Sequence, residues 1–221
     1  EKNKLNYFES DTFNSIDYDL NTEIIYRKNL HQKHKLQFTY LHSSIEDSIS
    51  TLNPNYLGNN LSKSSAYSLR YLFEYENRDY SAYPLHGFAF NFAAKKYFSA
   101  TNNAKHFEFT SKLEKYIEPY KRFYVGSSFK SKYSLKGNQP YFIQKALGYI
   151  DYVRGYEYYV VDGQSYWLSK TAIKYELIEK TTFDIPYMKM KQFKKAHYSL
   201  YVGIFSDIGY VIDNQNKERN T

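Results

Sequence analysis

The sequence predicts an all-β chain folded as an antiparallel barrel that crosses a membrane with its strands. Three observations carry that expectation. Apolar and polar residues alternate with a period of two along most of the chain, Tyr and Phe fringe the apolar stripes, and short turns alternate with long polar loops. Successive side chains of a strand point to opposite faces, so strict alternation suits a sheet with oil on one side and water on the other. An aromatic share of 20% argues against disorder, because a disordered chain is poor in such residues. No run approaches the ~18 apolar residues of a membrane-spanning helix.

Taken in order, Ser15 to Tyr26 sets Ile16, Tyr18, Leu20, Thr22, Ile24 and Tyr26 against Asp17, Asp19, Asn21 and Glu23. Leu36 to His42 repeats the pattern more weakly. Ala66 to Glu76 sets Tyr67, Leu69, Tyr71, Phe73 and Tyr75 against Ser68, Arg70, Glu74 and Glu76, with Leu72 as the apolar exception. Phe88, Phe90 and Phe92 alternate with Ala89, Asn91 and Ala93. Weaker alternation runs through Phe107 to Ile117, Phe123 to Phe129 and Trp167 to Leu177. The last segment sets Tyr198, Leu200, Val202, Ile204, Ile208 and Tyr210 against Ser199, Gly203, Asp207 and Gly209. About eight such segments result, most of them near the ~9–11 residues of a tilted membrane strand. Helical periodicity is convincing nowhere.

Short connections are expected at Asn29 to His34, Asn77 to His86 and Glu118 to Lys121, and long ones at Asp47 to Ser64 and Lys136 to Ser165. Short turns at one end and long loops at the other describe an outer-membrane barrel built of hairpins. A soluble β-sandwich or lipocalin-like barrel also alternates. Two features weigh against it: the apolar faces begin and end in Tyr or Phe, and the opposite faces carry charges in place of close-packed Val, Ile and Leu. Neither reading divides residues 1–221 into two domains.

The net charge is +7, from 30 Lys and Arg against 23 Asp and Glu. These cations are scattered singly, so the footprint for nucleic acid is weak and none is expected as a partner. The basic run Lys189, Lys191, Lys194 and Lys195 reads as a solvated periplasmic turn, with lipid headgroups or a partner as the alternative. There is no Cys, hence no disulfide framework, thiolate nucleophile or Cys-bound zinc. Glu1 opens no charged-then-apolar leader, so an export signal is expected to have been removed or to lie outside this stretch. His31, His34, His42, His86, His106 and His197 fall on different segments, where structural roles outweigh metal ligation. Glu74 and Glu76 share a face with Arg70, which reads as a lumenal charge ladder. No phosphate loop, Ser nucleophile motif or zinc-protease motif is present, so nothing argues for an enzyme, a cofactor or a metal.

Within the longest loop stands Tyr152-Val153-Arg154-Gly155-Tyr156, and one hairpin later Phe205-Ser206-Asp207-Ile208-Gly209. The pair resembles the Omp eighty-five superfamily, which includes BamA, TamA and the two-partner secretion transporters. In that superfamily a loop bearing Val-Arg-Gly-Phe or Val-Arg-Gly-Tyr folds back into the lumen, and a Phe-x-Asp-x-Gly strand receives its arginine. Asn77-Arg78-Asp79 through Tyr83-Pro84-Leu85-His86-Gly87 is similar to a periplasmic turn of the same family. The resemblance implies that these segments are strands six to thirteen of a sixteen-stranded barrel.

Physical argument supports the pairing. Arg154 entering a lumen is an expensive cation unless a carboxylate meets it. Asp207 shares a face with Tyr201, Gly203, Phe205 and Gly209, opposite Leu200, Val202 and Ile204, so it points inward if the latter meet lipid. A guanidinium offers a planar fork to the carboxylate and can stack on Phe205 or Tyr201. Gly203 and Gly209 leave room for the loop, and Gly155 permits a sharp turn. The expected latch is Val153, Arg154, Gly155 and Tyr156, received by Phe205, Asp207 and Gly209. The plainer account makes Arg154 a solvated loop residue and Asp207 one lumenal acid among several.

A barrel of ~8 strands is filled by its own side chains, leaving no space for an inserted loop 136–165. The expectation is therefore a partial barrel domain, completed by strands that lie elsewhere, with the family's periplasmic POTRA domains also absent from this stretch. Asn214 to Thr221 reads as the start of a further external loop. The resemblance implies an outer-membrane assembly factor of a Gram-negative bacterium that folds and inserts β-barrel proteins without nucleotide. Implied partners are outer-membrane lipids and lipopolysaccharide, client barrel proteins and accessory lipoproteins. The alternative is a two-partner-secretion-type polypeptide transporter or a solute-conducting barrel.

Overall fold

Period-two alternation becomes eight long strands. The computed structural model describes residues 15–101, 105–135, 139–186 and 194–214. The long strands are β1 (Ser15–Arg27), β2 (Gln32–Ile45), β3 (Lys63–Arg78), β4 (Gly87–Ser99), β5 (Lys105–Tyr120), β6 (Phe123–Ser134), β9 (Ser165–Asp184) and β10 (Lys195–Ile212). Two short strands, β7 (Lys145–Leu147) and β8 (Val161–Asp162), pair within the long loop. The long strands form one antiparallel sheet in the order β1-β2-β3-β4-β5-β6-β9-β10, with β1 and β10 at its edges. Each of the eight expected segments lies inside one of these strands, which extend past it by a few residues.

Register turns the alternation of single strands into two continuous faces. Tyr40 pairs with Tyr67, Phe38 with Leu69, Phe73 with Phe92 and Phe90 with Leu113. Farther along, Leu113 pairs with Phe129, Val125 with Ile173 and Ile173 with Ile204, all on one apolar face. Leu20, Ile24 and Ile204 on this face are 68%, 67% and 72% exposed. A contiguous apolar surface of this extent is far larger than a water-facing surface carries. Aromatic ladders mark its two ends: Tyr40–Tyr67 and Phe129–Trp167–Tyr210 at one, Tyr75–Phe88 and Phe123–Tyr175 at the other. From Tyr67 to Tyr75 the strand rises about 27 Å, enough for a tilted strand to match an apolar band ~25 Å tall.

The other face carries the ion pairs. Lys35 meets Glu74 at 3.3 Å, and Arg78 meets Glu76 at 2.6 Å and Glu114 at 3.4 Å. The charge ladder anticipated at Glu74 and Glu76 therefore runs through Lys35 and Arg78, and not through Arg70, which makes no ion pair among the described residues. The sheet curls toward this face. The β3–β4 turn reaches across to β9 and β10, where the Tyr83 ring lies 5.5 Å from that of Tyr201 and Lys174 Nζ sits 3.5 Å above it. In a flat sheet β3 and β10 would be too far apart for that contact.

Two departures from the alternating pattern are local. Residues Asp47–Leu52, expected as loop, form a six-residue helix, α1. A single helical turn is held by contacts with its surroundings and has too few residues for a periodicity to be read. Near Leu200 the β9–β10 ladder shifts register twice, so that Tyr198 pairs with Thr181, Leu200 with Ile178 and Tyr201 with Glu176. Of the basic run, Lys189 and Lys191 lie outside the described residues, as do residues 215–221. Lys194 stands 3.8 Å from Asp184.

Candidate functional site

The loop between β6 and β9 binds to the charged face through its own small apolar core. Tyr141–Ile143 make one 3₁₀ turn, tied to the β2–β3 loop by the Tyr141 N–H donating to Asn55 O (3.0 Å) and the Phe142 N–H to Tyr56 O (3.1 Å). Ala146 and Leu147 of β7 then pack with Tyr166 and Leu168 of β9 and Val211 of β10, and Val153 and Val161 close the cluster. Alternation places Tyr166, Leu168 and Val211 on the inner face, so this stretch of wall is apolar where the loop covers it. Burial of such side chains contributes roughly 1.5–3 kcal/mol each.

This packing delivers Arg154 to β10. Its backbone N–H donates to Asp207 Oδ2 at 3.0 Å, its Nε–H to the same oxygen at 2.8 Å and its terminal N–H to Oδ1 at 2.5 Å. The guanidinium carbon lies 3.8 Å from the centre of the Phe205 ring. Asp207 is shut away, its side chain 2% exposed, whereas that of Arg154 is 34% exposed. A carboxylate so enclosed is tolerable because three donors converge on it. The arrangement ties the loop tip to β10 through a forked, charge-assisted contact.

The remaining residues of the two motifs divide. Val153 packs into the apolar cluster, and its Cγ2 lies where a Cβ on Gly209 would stand 3.0 Å away. The same Cβ would meet Leu147 at 2.8 Å, so the bare backbone at Gly209 admits the loop. Gly155 has φ +91°, a conformation that side chains resist, and its N–H donates to Glu157 Oε1 at 3.0 Å. Tyr156 shares with Val153, Asp207 and Gly209 the wall of one cavity. Its N–H closes a turn on Val153 O at 2.9 Å, and its exposed ring leans on Tyr159 with centroids 5.5 Å apart.

Two further expectations are corrected. Gly203 does not make room for the loop; a Cβ there would strike Ile173 O of the neighbouring strand at 2.8 Å. Tyr201 does not stack on the guanidinium. Its hydroxyl donates to Glu176 Oε1 at 3.0 Å and its ring belongs to the Tyr83–Tyr124 cluster, because it sits six residues, or roughly 20 Å, from Asp207 along β10.

Contacts at Asp151 and Tyr152 are legible only in the fold. Lys130 Nζ of β6 and the Tyr166 hydroxyl of β9 both donate to Asp151 Oδ2, at 2.6 Å and 2.7 Å. Lys170 Nζ stands 4.6 Å over the Tyr152 ring. Between this loop tip and the β3–β4 turn lies a cavity of about 390 Å³ with Lys112, Lys130, Lys170, Lys174 and Arg154 in its wall. The histidines are dispersed: His31 bonds Glu76 O, His34 the Tyr71 hydroxyl, His42 Ser65, and His197 Thr182. His86 faces Asp79 and Glu118, and His106 stacks on Tyr97. Among the described residues no group of three or more His, Asp or Glu is placed to hold a metal ion, and no helix is long and apolar enough to cross a membrane.

No protein-family model matches the chain, and no curated protein matches it in sequence. Among solved structures it is similar to BamA from Haemophilus ducreyi lacking POTRA domains 1–3. The sequence identity is 12% and the TM-score 0.58, over 87% of this chain and 42% of that one. The chain thus spans less than half the length of the BamA chain, and at this identity the likeness is one of fold. The fold is that of part of a BamA-type antiparallel transmembrane β-barrel.

Proposed function

We propose that this chain forms the lumenal wall and inserted loop of an outer-membrane barrel that folds and inserts other β-barrel proteins without nucleotide. The observation that carries the reading is the contact of Arg154 with Asp207 and Phe205 inside a BamA-like fold. Residues 139–164 are latched to the wall and shape the lumen beside β10. The edges of β1 and β10 carry backbone groups that hydrocarbon cannot satisfy, so in a membrane both edges meet further strands. Outer-membrane lipids, lipopolysaccharide, client barrel proteins and accessory lipoproteins are the partners this reading names.

The charged cavity beneath the loop, where Glu114 and Asp151 stand among the cations, favours a second reading, a barrel that exports one polypeptide or conducts a solute through a wet lumen. Depletion of the whole protein in its own cells separates the two. A general fall in outer-membrane barrel proteins, quantified by proteomics of the outer membrane, is the expected result. Loss of one secreted polypeptide or one solute flux, with the other barrels at normal abundance, would assign the export reading instead.

A further inference from the structure

Three residues before Arg154, the same loop tip is held by a second ion pair of reversed polarity. At Arg154 the loop supplies the cation and β10 the acid; at Asp151 the loop supplies the acid, and the wall supplies the cation, Lys130. Lys130 faces Leu168 in register, and its neighbour Lys132 faces Tyr166, so the Lys130 and Tyr166 side chains rise from adjacent strands on one face. Asp151 Oδ2 takes a hydrogen bond from each. Its backbone is set as well, since the Gly148 N–H donates to Asp151 O at 2.7 Å. The Asp151 and Lys130 side chains are 20% and 22% exposed, enclosed enough that a like charge in either place would be costly.

We propose that Asp151 is a positioning residue which, with Lys130 and Tyr166, sets the register in which the loop docks. The proposal rests on the latch reading of Arg154 given above. With two pairs of opposite polarity, only one seating matches both. A seating that reverses the tip brings Asp151 toward Asp207 and Arg154 toward Lys130, whereas one that slides it takes Arg154 off Asp207. Each wrong pairing sets like charges together while stranding a buried partner. A single latch fixes one point of the loop and leaves it free to pivot. Two latches on different strands, β6 with β9 and then β10, also fix its direction.

The test uses the full-length protein in native outer-membrane vesicles, with limited proteolysis of the loop as readout and retention of the heat-modifiable folded band as the control for barrel integrity. Asp151→Lys and Lys130→Asp, made singly, are expected to speed cleavage within residues 148–158 by about tenfold, within the range by which residues in one ion pair couple. The double swap, Asp151→Lys with Lys130→Asp, is expected to return the rate to within about threefold of the parent, a rescue that general loss of packing would not show. Asp151→Asn, isosteric and still an acceptor for Tyr166, covers the case in which a reversal prevents folding; its expected cleavage rate lies between parent and reversal. Single reversals that leave cleavage unchanged, or a double swap no better protected than the singles, would overturn the proposal. Arg154→Ala is assayed beside them. If it frees the loop while the Asp151 variants do not, the second latch fails and the first stands. If the Asp151 variants free the loop while Arg154→Ala does not, the reading of Arg154 is the one that fails.

Discussion

Replacing Arg154 by lysine keeps the charge and discards most of the contact. An ammonium donates to one carboxylate oxygen at a time and presents no plane to Phe205, whereas the guanidinium reaches both oxygens of Asp207 and lies 3.8 Å from that ring. Truncation strands a carboxylate that is 2% exposed, and most of the cost arises there. Arg154→Ala is therefore expected to weaken docking of the loop by about 2–3 kcal/mol, read as faster proteolysis of the loop and lower yield in a client-insertion assay. Arg154→Lys should recover less than about half of that loss, because charge-assisted forked bonds are roughly twice as strong as single ones. Unchanged proteolysis and insertion in Arg154→Ala would remove the latch. Asp151 obeys the same physics with the signs exchanged.

Turns are where the elements acquire direction, and the β3–β4 turn does more than reverse the chain. Asp79 Oδ1 accepts the N–H of Tyr80 at 2.8 Å and of Leu85 at 3.1 Å, cinching the turn so that Tyr83 projects over the inner face. At its far side Gly87 has φ +109°, and a Cβ there would stand 2.1 Å from Asn77 O, so the closure into β4 requires glycine. Burial pushes the Asp79 carboxyl up, but the N–H groups of Leu85, His86 and Tyr80 and the His86 ring outweigh it and hold the group below its ordinary range. With the folded value depressed, the stabilisation is complete above the unfolded value of about 3.9 and is lost as pH falls through the lower folded one. Acidification below about pH 4 should speed amide exchange at Leu85, after correction for intrinsic rates, and Asp79→Asn should abolish that acid-dependent increment. An increment of equal size in the variant would assign the effect to another group.

For the whole molecule, the two faces of the sheet make opposite predictions. Ile204 lies midway along the apolar stripe of β10 and Thr39 on the charged face of β2. Ile204→Arg is expected to lower the stability of the barrel in lipid vesicles by about 2–4 kcal/mol, the cost of a cation near the bilayer midplane. Thr39→Arg should cost under about 1 kcal/mol, since a lumenal side chain keeps its water. Chemical unfolding from vesicles measures both. A soluble sheet with its core on the charged side would reverse the order.

Strand positions, the two faces and the sense of curvature were legible from residue order, because alternation is written into each strand by the geometry of the backbone and needs no distant partner. Asp207 could be placed inward by parity with Gly209 and Phe205 for the same reason, whereas Arg154 was matched to it through the resemblance of the two motifs to a known family, because charge alone left it equally a solvated loop residue. Other pairings were beyond that logic. Whether Asp151 meets Lys130, whether Tyr83 crosses to Tyr201, whether Gly203 serves a loop or a neighbouring strand, and whether Asp47–Leu52 coils into α1 depend on which segments folding brings within a few ångströms. Short-range chemistry has no period to read, so only the assembled, curled sheet decides which of several equivalent cations and acids become partners.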